Sequence, residues 1–260
     1  MKKGIQRVDF RNYHRYKIDG RWATGVTTAL NGVPKDEALK RWAARLVAEY
    51  AVTNYGLVGR MIDESGEAHT RHYLAEIPNA RRDSAAIRGT EVHALAEKYI
   101  RGEEVEVPDR LLPYVEGYAA WVEDWQPKSM HEELVVASRS HMIAGTLDSI
   151  SYIPSLDAVC LIDYKTSNYV FGVHALQCAA YRHMEVCLVD GVELPMVQVD
   201  RVFILHIKPH DYQFIPVQAD EEAFGKFLAA RDNYLQNVQS NKLEKLLGVA
   251  LDPPAREGMS

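Results

Sequence analysis

The sequence predicts an α/β protein, with a central mixed β-sheet flanked by helices and an N-terminal helical lobe. Three observations lead there. The run AGTLDSISYIPSLDAVCLIDYKTS, Ala144 to Ser167, holds two β-rich segments. They flank Pro154, Ser155, Leu156 and Asp157, which have the composition of a turn. Within that run, AVCLID is apolar at nearly every position. A strand of that kind is central and covered on both faces. The third observation is the order of elements: helices, three strands, a helix, two strands, a helix.

Taken in order, residues 13–26 read as a hairpin turning at Asp19-Gly20, a type I′ signal. Asp36 to about Asn54 reads as a helix. Pro34 precedes it, and Leu39, Trp42, Ala43, Leu46 and Val47 recur at helical spacing. Residues 55–77 are mixed and show no clear period. Asn79 to Ile100 is expected to be a helix, with a break near Gly89, and Pro108 to Trp125 a second one. Residues 132–139 form a strand ahead of the central hairpin. Val173 to Leu188 is expected to be one helix. Residues 199–208 and 212–217 form a second hairpin around Pro209-His210-Asp211. Ala219 to about Leu247 is helical, and the last dozen residues look loose. The division expected is a hairpin and helical lobe at 1–80, a core at 81–247 and a tail at 248–260.

Bulk properties narrow the function. The 260 residues fit one large domain or a domain with an added lobe. Hydrophobic and charged shares of 47% and 25% are ordinary for a soluble protein. There is no apolar run of roughly 18 residues, so no membrane span is expected. The basic start MKKGIQRVDFRNYHR lacks an apolar stretch and does not read as a secretory signal. Cys160, Cys178 and Cys187 are odd in number and show no CxxC spacing, which points to a reducing, cytoplasmic setting. A net charge of −6 argues against coating nucleic acid through bulk charge. It leaves room for a local basic channel, for which Lys40, Arg41, Arg71, Arg81, Arg82 and Arg88 are candidates. His69 and His72 lack a third zinc ligand nearby, and no GxxxxGK[ST] or GxSxG motif is present.

The chemistry concentrates in the central hairpin. A turn centred between Ser155 and Leu156 pairs Asp148 with Asp163 across the two strands. Like charges directly opposite destabilise a sheet, so this pairing calls for a cation between them. Lys165 lies two residues past Asp163 and shares its face. Two acids and a lysine on one patch fit a Mg²⁺-dependent phosphodiesterase. Gly145, in Gly145-Thr146-Leu147-Asp148, admits a close approach by another group. His93, in the segment GTEVH, borders the apolar stripe of its helix, with Glu97 one turn on. Gln177 and Tyr181, four apart, project from one helix face.

The order GTEVH, GTLD, DYK and QxxxY resembles the PD-(D/E)XK nuclease superfamily in its RecB-like branch. The opening TGVTTALNGVPKDEALKRWA, Thr24 to Ala43, resembles phage-type exonucleases of that branch. The resemblance covers most of the chain, from about residue 20 to 215. It implies a restriction-endonuclease-like core. It also implies side-chain metal ligands at His93, Asp148 and Asp163, with the backbone carbonyl of Tyr164 as a further ligand. Lys165 would position or help deprotonate the attacking water and steady charge on the phosphate. Gln177 and Tyr181 would order the site and touch substrate. Leu147 stands where the family's name places proline. An assisting acid on the preceding strand is Glu132 or Glu133, and the sequence does not choose. The cofactor implied is Mg²⁺ or Mn²⁺. No iron–sulfur cluster is expected, because the family's cluster-bearing members need four cysteines. The expected substrate is DNA, in recombination or repair, inside the bacterial host cytoplasm if the gene is a phage's. A single-strand annealing or recombination protein is a candidate partner, no membrane is involved, and a homo-oligomer is compatible. A structure-selective endonuclease and a non-catalytic DNA-binding module remain the competing readings.

Overall fold

The computed structural model describes residues 4–11, 13–34, 37–240 and 248. The end of the last expected helix, 241–247, and all of the tail but Gly248 lie outside the described residues. The protein is α/β, with a mixed, curled sheet flanked by helices; about 49% is helical and 29% strand. In chain order the sheet contains β1 (Ile5–Asp9), β2 (His14–Ile18), β3 (Arg21–Gly25), β4 (Lys128–Ser138), β5 (Ile143–Ile153) and β6 (Ala158–Lys165). It continues with β7 (Val186–Val189), β8 (Val192–Pro195), β9 (Arg201–Lys208) and β10 (Asp211–Pro216). The helices are α1 (Val26–Ala29), α2 (Glu37–Thr53), α3 (Tyr55–Ile100), α4 (Leu112–Trp125), α5 (Gly172–Arg182) and α6 (Glu221–Ser240).

The central hairpin has the register expected of it. Ser149 pairs with Ile162, and the pairing runs antiparallel to Ile153 and Ala158. Asp157 closes the turn in the left-handed region at φ 45°, a conformation aspartate tolerates. The first hairpin likewise turns at Asp19 and Gly20, both with positive φ, as a type I′ turn requires. Strand β6 is internal, bonded to β5 on one edge and in parallel to β9 on the other. Its residues alternate between two cores. Leu161 packs with α5 and α6 through Cys178, Ala179 and Phe227. Cys160, Ile162 and Tyr164 pack with α3 and α4 through Val92, Tyr118 and Trp121. Removing a side chain such as Phe227 from water contributes about 2–3 kcal/mol.

One topological detail creates the site. β4 pairs with one edge of β5 along most of its length. The other edge changes partner. β3 takes it in parallel at Ile143 and Ala144, and β6 takes it from Ser149 onward. Between these two stretches the sheet forks, and Gly145-Thr146-Leu147-Asp148 occupies the fork.

Several expectations need correction. Residues 55–77 are helical, and α3 runs unbroken past Gly89 and across residue 80. Its break is at Gly66, with φ 82° and ψ 160°. In that stretch only Thr70 is buried, so packing leaves no apolar period to read. The helix expected at 173–188 ends at Arg182; residues 186–189 form β7, which pairs with β4 and β8. β1 and β8 were not foreseen, being short, at five and four residues. Gly32 has a packing reason: a Cβ there would lie 1.8 Å from the Ala230 carbonyl oxygen of α6.

Candidate active site

The residues at the fork come from α3, β4, β5, β6 and α5. His93 sits on α3 with its Nδ1 3.4 Å from Asp148 Oδ1. Tyr164 holds the imidazole from the side in an edge-on contact, with ring centroids 5.6 Å apart. The other Asp148 oxygen accepts a 2.6 Å hydrogen bond from the Tyr164 N–H. A side chain thus caps the backbone where β6 leaves β5.

Backbone geometry sends Glu132 and Glu133 to different places. Leu134 faces the core beneath α5 and α6. Simple alternation would put Glu132 on that same face. Instead Glu132 points to the α3 side, where Ser129 and Ser149 donate hydrogen bonds to it at 2.6 and 2.8 Å. The slip occurs at Glu133, whose φ is 50°. A non-glycine residue there is strained and unusual in a strand. The result turns Glu133 toward the fork. His93, Glu133 and Asp148 each offer a ligand atom, all within 4.8 Å of one another. Nothing in the local sequence signals this positive φ.

Asp163 does not join that tight group. It is 1% exposed and forms an ion pair with Lys165. Apart from that contact, neither of its oxygens has a hydrogen-bond partner. Burial pushes its carboxyl up to about 6; Lys165 opposes this and Asp148 adds to it. Burial alone would lower Lys165, but Asp163 and Asp148 hold it above the usual lysine range. Burial would also raise Asp148, yet His93 and Lys165 keep it below the ordinary aspartate value. His93 is raised, because Asp148 outweighs the effect of burial. Glu133 is the solvent-facing member of the group; crowding by the surrounding protein, and then Asp148, still moves its carboxyl upward. Glu132 is pushed by burial to about 7. The backbone carbonyl of Tyr164 accepts a 3.3 Å hydrogen bond from Lys165 Nζ.

On α5, Tyr181 is 2% exposed and lies directly over Gly145. A Cβ on that glycine would fall 2.7 Å from Tyr181 Cε1. Gln177 contacts the Tyr181 hydroxyl and opposes the upward push of burial. The close approach expected at Gly145 is thus the ring of Tyr181. Of the basic candidates, Arg88 reaches the site's margin. It donates to the Thr166 carbonyl at 3.4 Å and lies over the Tyr114 ring at 5.1 Å. Arg71 and Arg82 pair with Glu67 and Asp83 on the helix surface.

The donor set suits a hard divalent ion. One imidazole and two carboxylates converge, and Asp163, paired with Lys165, lies within the electrostatic reach of Asp148. Two ligands of one octahedral ion, at about 2.1 Å each, stand ~3 Å apart. The 3.4 Å between His93 Nδ1 and Asp148 Oδ1 is close to that.

Comparison with known proteins adds little. No family model matches the chain, and no curated protein matches it. Among solved structures, SSO0001 aligns over 82% of this chain and 75% of its own. The identity is 14% and the TM-score 0.34. Among the described residues, no helix is long and apolar enough to cross a membrane. Cys160, Cys178 and Cys187 are buried free thiols.

Proposed function

We propose that this chain is a metal-dependent DNA nuclease of the RecB-like PD-(D/E)XK type, acting as an exonuclease in recombination or repair. The observation that carries the reading is the buried Asp163–Lys165 pair set beside the His93, Glu133 and Asp148 group at one fork of the sheet. A buried acid whose partner is a single lysine is costly. A module that only bound DNA would gain nothing from keeping it.

In this reading His93, Glu133 and Asp148 hold Mg²⁺ or Mn²⁺, with Asp163 as the neighbouring carboxylate. The ion, when bound, supplies a polarised phosphoryl oxygen and a more acidic water. Asp148 and Glu133 contribute the negative charge that retains it. Lys165 is held protonated by Asp163 and Asp148. Beside the ion it would position or help deprotonate the attacking water and steady charge on the phosphate. Tyr181 and Gln177 brace Gly145 and so the Asp148 strand. Tyr164 contributes its ring to His93 and its N–H to Asp148; its carbonyl is available as a further ligand once Lys165 turns to substrate. A cytoplasmic location and a single-strand annealing or recombination protein as partner belong to the same reading, which leaves a homo-oligomer open.

The test is a time course on end-labelled linear DNA and on covalently closed circles, with Mg²⁺ or Mn²⁺. Linear DNA should be consumed while circles survive, and EDTA should stop the reaction. Cleavage that persists in EDTA would overturn the mechanism. Efficient cutting of closed circles would replace the exonuclease by an endonuclease.

A further inference from the structure

Outside the metal group, the N-terminal hairpins carry a second assembly of side chains. Phe10, Tyr13 and Trp22 are 42, 59 and 43% exposed. Large aromatics at that exposure normally find a core. These instead contact one another and cations. Phe10 and Tyr13 stack at 4.7 Å with 12° between planes, and Trp22 lies 6.5 Å from Phe10. The Arg15 guanidinium is 4.1 Å from the Trp22 ring centre and the Lys17 ammonium 4.6 Å. A 2.8 Å hydrogen bond from the Phe10 N–H to the Tyr13 carbonyl ties these two residues together. Among the described residues, neither Arg15 nor Lys17 forms an ion pair with an acid.

The alternation of β2 and β3 explains why these groups share one side. Lys17 pairs with Trp22, whereas Tyr16 pairs with Ala23. Tyr16 and Ala23 turn inward to a small core, so Arg15, Lys17 and Trp22 turn outward. Local charge is opposite to that of the chain. Residues 4–25 contain five basic and two acidic residues, while the whole protein carries −6. Both acids are engaged, Asp9 by Arg7 and Asp19 by Arg139.

The register ties this surface to the fork. Gly25 is level with Ala144, and Tyr16 with Ala23. The β1–β2 turn therefore lies level with Gly145 and Thr146, about three residues or ~10 Å along the strand from Asp148. The inner face makes the link physical, because Tyr16 and Thr146 share a 2.8 Å hydroxyl contact.

We propose that this outer face is a stacking platform for the unpaired bases of single-stranded DNA, which it delivers to the fork. Exposed rings accept bases of any identity by stacking, and flanking cations accept the phosphates. The choice of DNA rests on the nuclease reading; the choice of a single strand rests on the rings.

The test uses the full chain, a 5′-fluorescein-labelled dT20 and fluorescence anisotropy in EDTA. The wild type should bind dT20 more tightly than a blunt 20-bp duplex. Phe10→Ala with Trp22→Ala should weaken dT20 binding by about 10- to 100-fold. Phe10→Tyr with Trp22→Phe should restore most of it. Arg15→Gln with Lys17→Gln should flatten the plot of log affinity against log salt by ~0.7 per cation. The platform is overturned if the double alanine variant binds dT20 like the wild type, or if the wild type prefers duplex or rU20. It is also overturned if the glutamine pair leaves the salt slope unchanged, whatever the stability of the alanine variant. Ring-dependent binding without Mg²⁺-dependent shortening of dT20 would support the platform and sink the nuclease reading alone.

Discussion

Substituting alanine for Gly145 tests how the metal-binding strand is braced. The new Cβ would stand 2.7 Å from Tyr181 Cε1, 3.2 Å from Val26 Cγ2 and 3.3 Å from the Tyr181 oxygen. Carbon atoms in good contact are 3.5–4.0 Å apart. The Tyr181 ring, 2% exposed, must therefore withdraw by roughly 1 Å. Overpacking of this kind costs about 1–3 kcal/mol. At about 2–4 °C per kcal/mol for a chain of this size, the midpoint of thermal unfolding should fall by several degrees. The decisive measurement is a double-mutant cycle by urea unfolding. With Tyr181→Ala the closest obstacle is gone and the 3.2 Å approach of Val26 Cγ2 is left, so Gly145→Ala should cost much less. The coupling between the two should reach about 1–2 kcal/mol. Equal costs of Gly145→Ala in both backgrounds would refute the argument. Nuclease activity of Gly145→Ala should drop by more than the loss of folded protein accounts for.

Three further outcomes are expected. Glu133→Gln should weaken Mn²⁺ binding, read by calorimetry, at least tenfold, whereas Glu132→Gln should leave it nearly intact; the reverse order would contradict the positive-φ geometry. His93→Ala should shift the metal dependence of cleavage to higher concentration. A lowered melting temperature with unchanged metal dependence would instead show His93 to be a packing residue at the edge of the core. The third outcome concerns pH. The Glu132 carboxyl is raised in the folded state to about 7 from an ordinary 4.5, so folding favours its protonated form. That contribution is complete below about pH 4.5 and is lost as pH rises through 7, amounting to at most roughly 3 kcal/mol. In EDTA the wild type should therefore lose stability over this window, and Glu132→Gln should lose less. Identical slopes would refute the assignment.

Much of this was legible in the sequence because it rests on short-range rules. The Asp157 turn and the period of two set the register of β5 on β6, but the ladder stops at Ser149 and Ile162, one step short of the expected Asp148–Asp163 pair. The apolar character of AVCLID on both faces marked β6 as central. The fork was not legible, because it depends on β3 and β6 sharing one edge of β5 across more than a hundred residues. Nor was the placement of Glu133, since its positive φ has no signature in the local sequence. The α3 arm escaped for a different reason. A helix that is exposed on most sides has no apolar stripe, and propensity alone is a weak guide. Beyond Arg182 the apolar residues Cys187 and Leu188 prolong a helical pattern in the sequence, whereas tertiary pairing makes them strand.

The parallel pairing of β6 with β9 has a consequence for how the molecule acquires its site. β4, β5 and β6 follow one another closely and are joined by tight turns, so they can meet early. β9 reaches β6 only after α5, β7 and β8 have been laid down, and parallel partners joined by such a crossover associate slowly. Until β9 arrives, β6 is an open edge, and Asp163 and Lys165 remain in water. Their burial, and with it the altered proton affinities of the pair, depends on a strand that follows some forty residues later in the chain, since Asp163 pairs with Ile204.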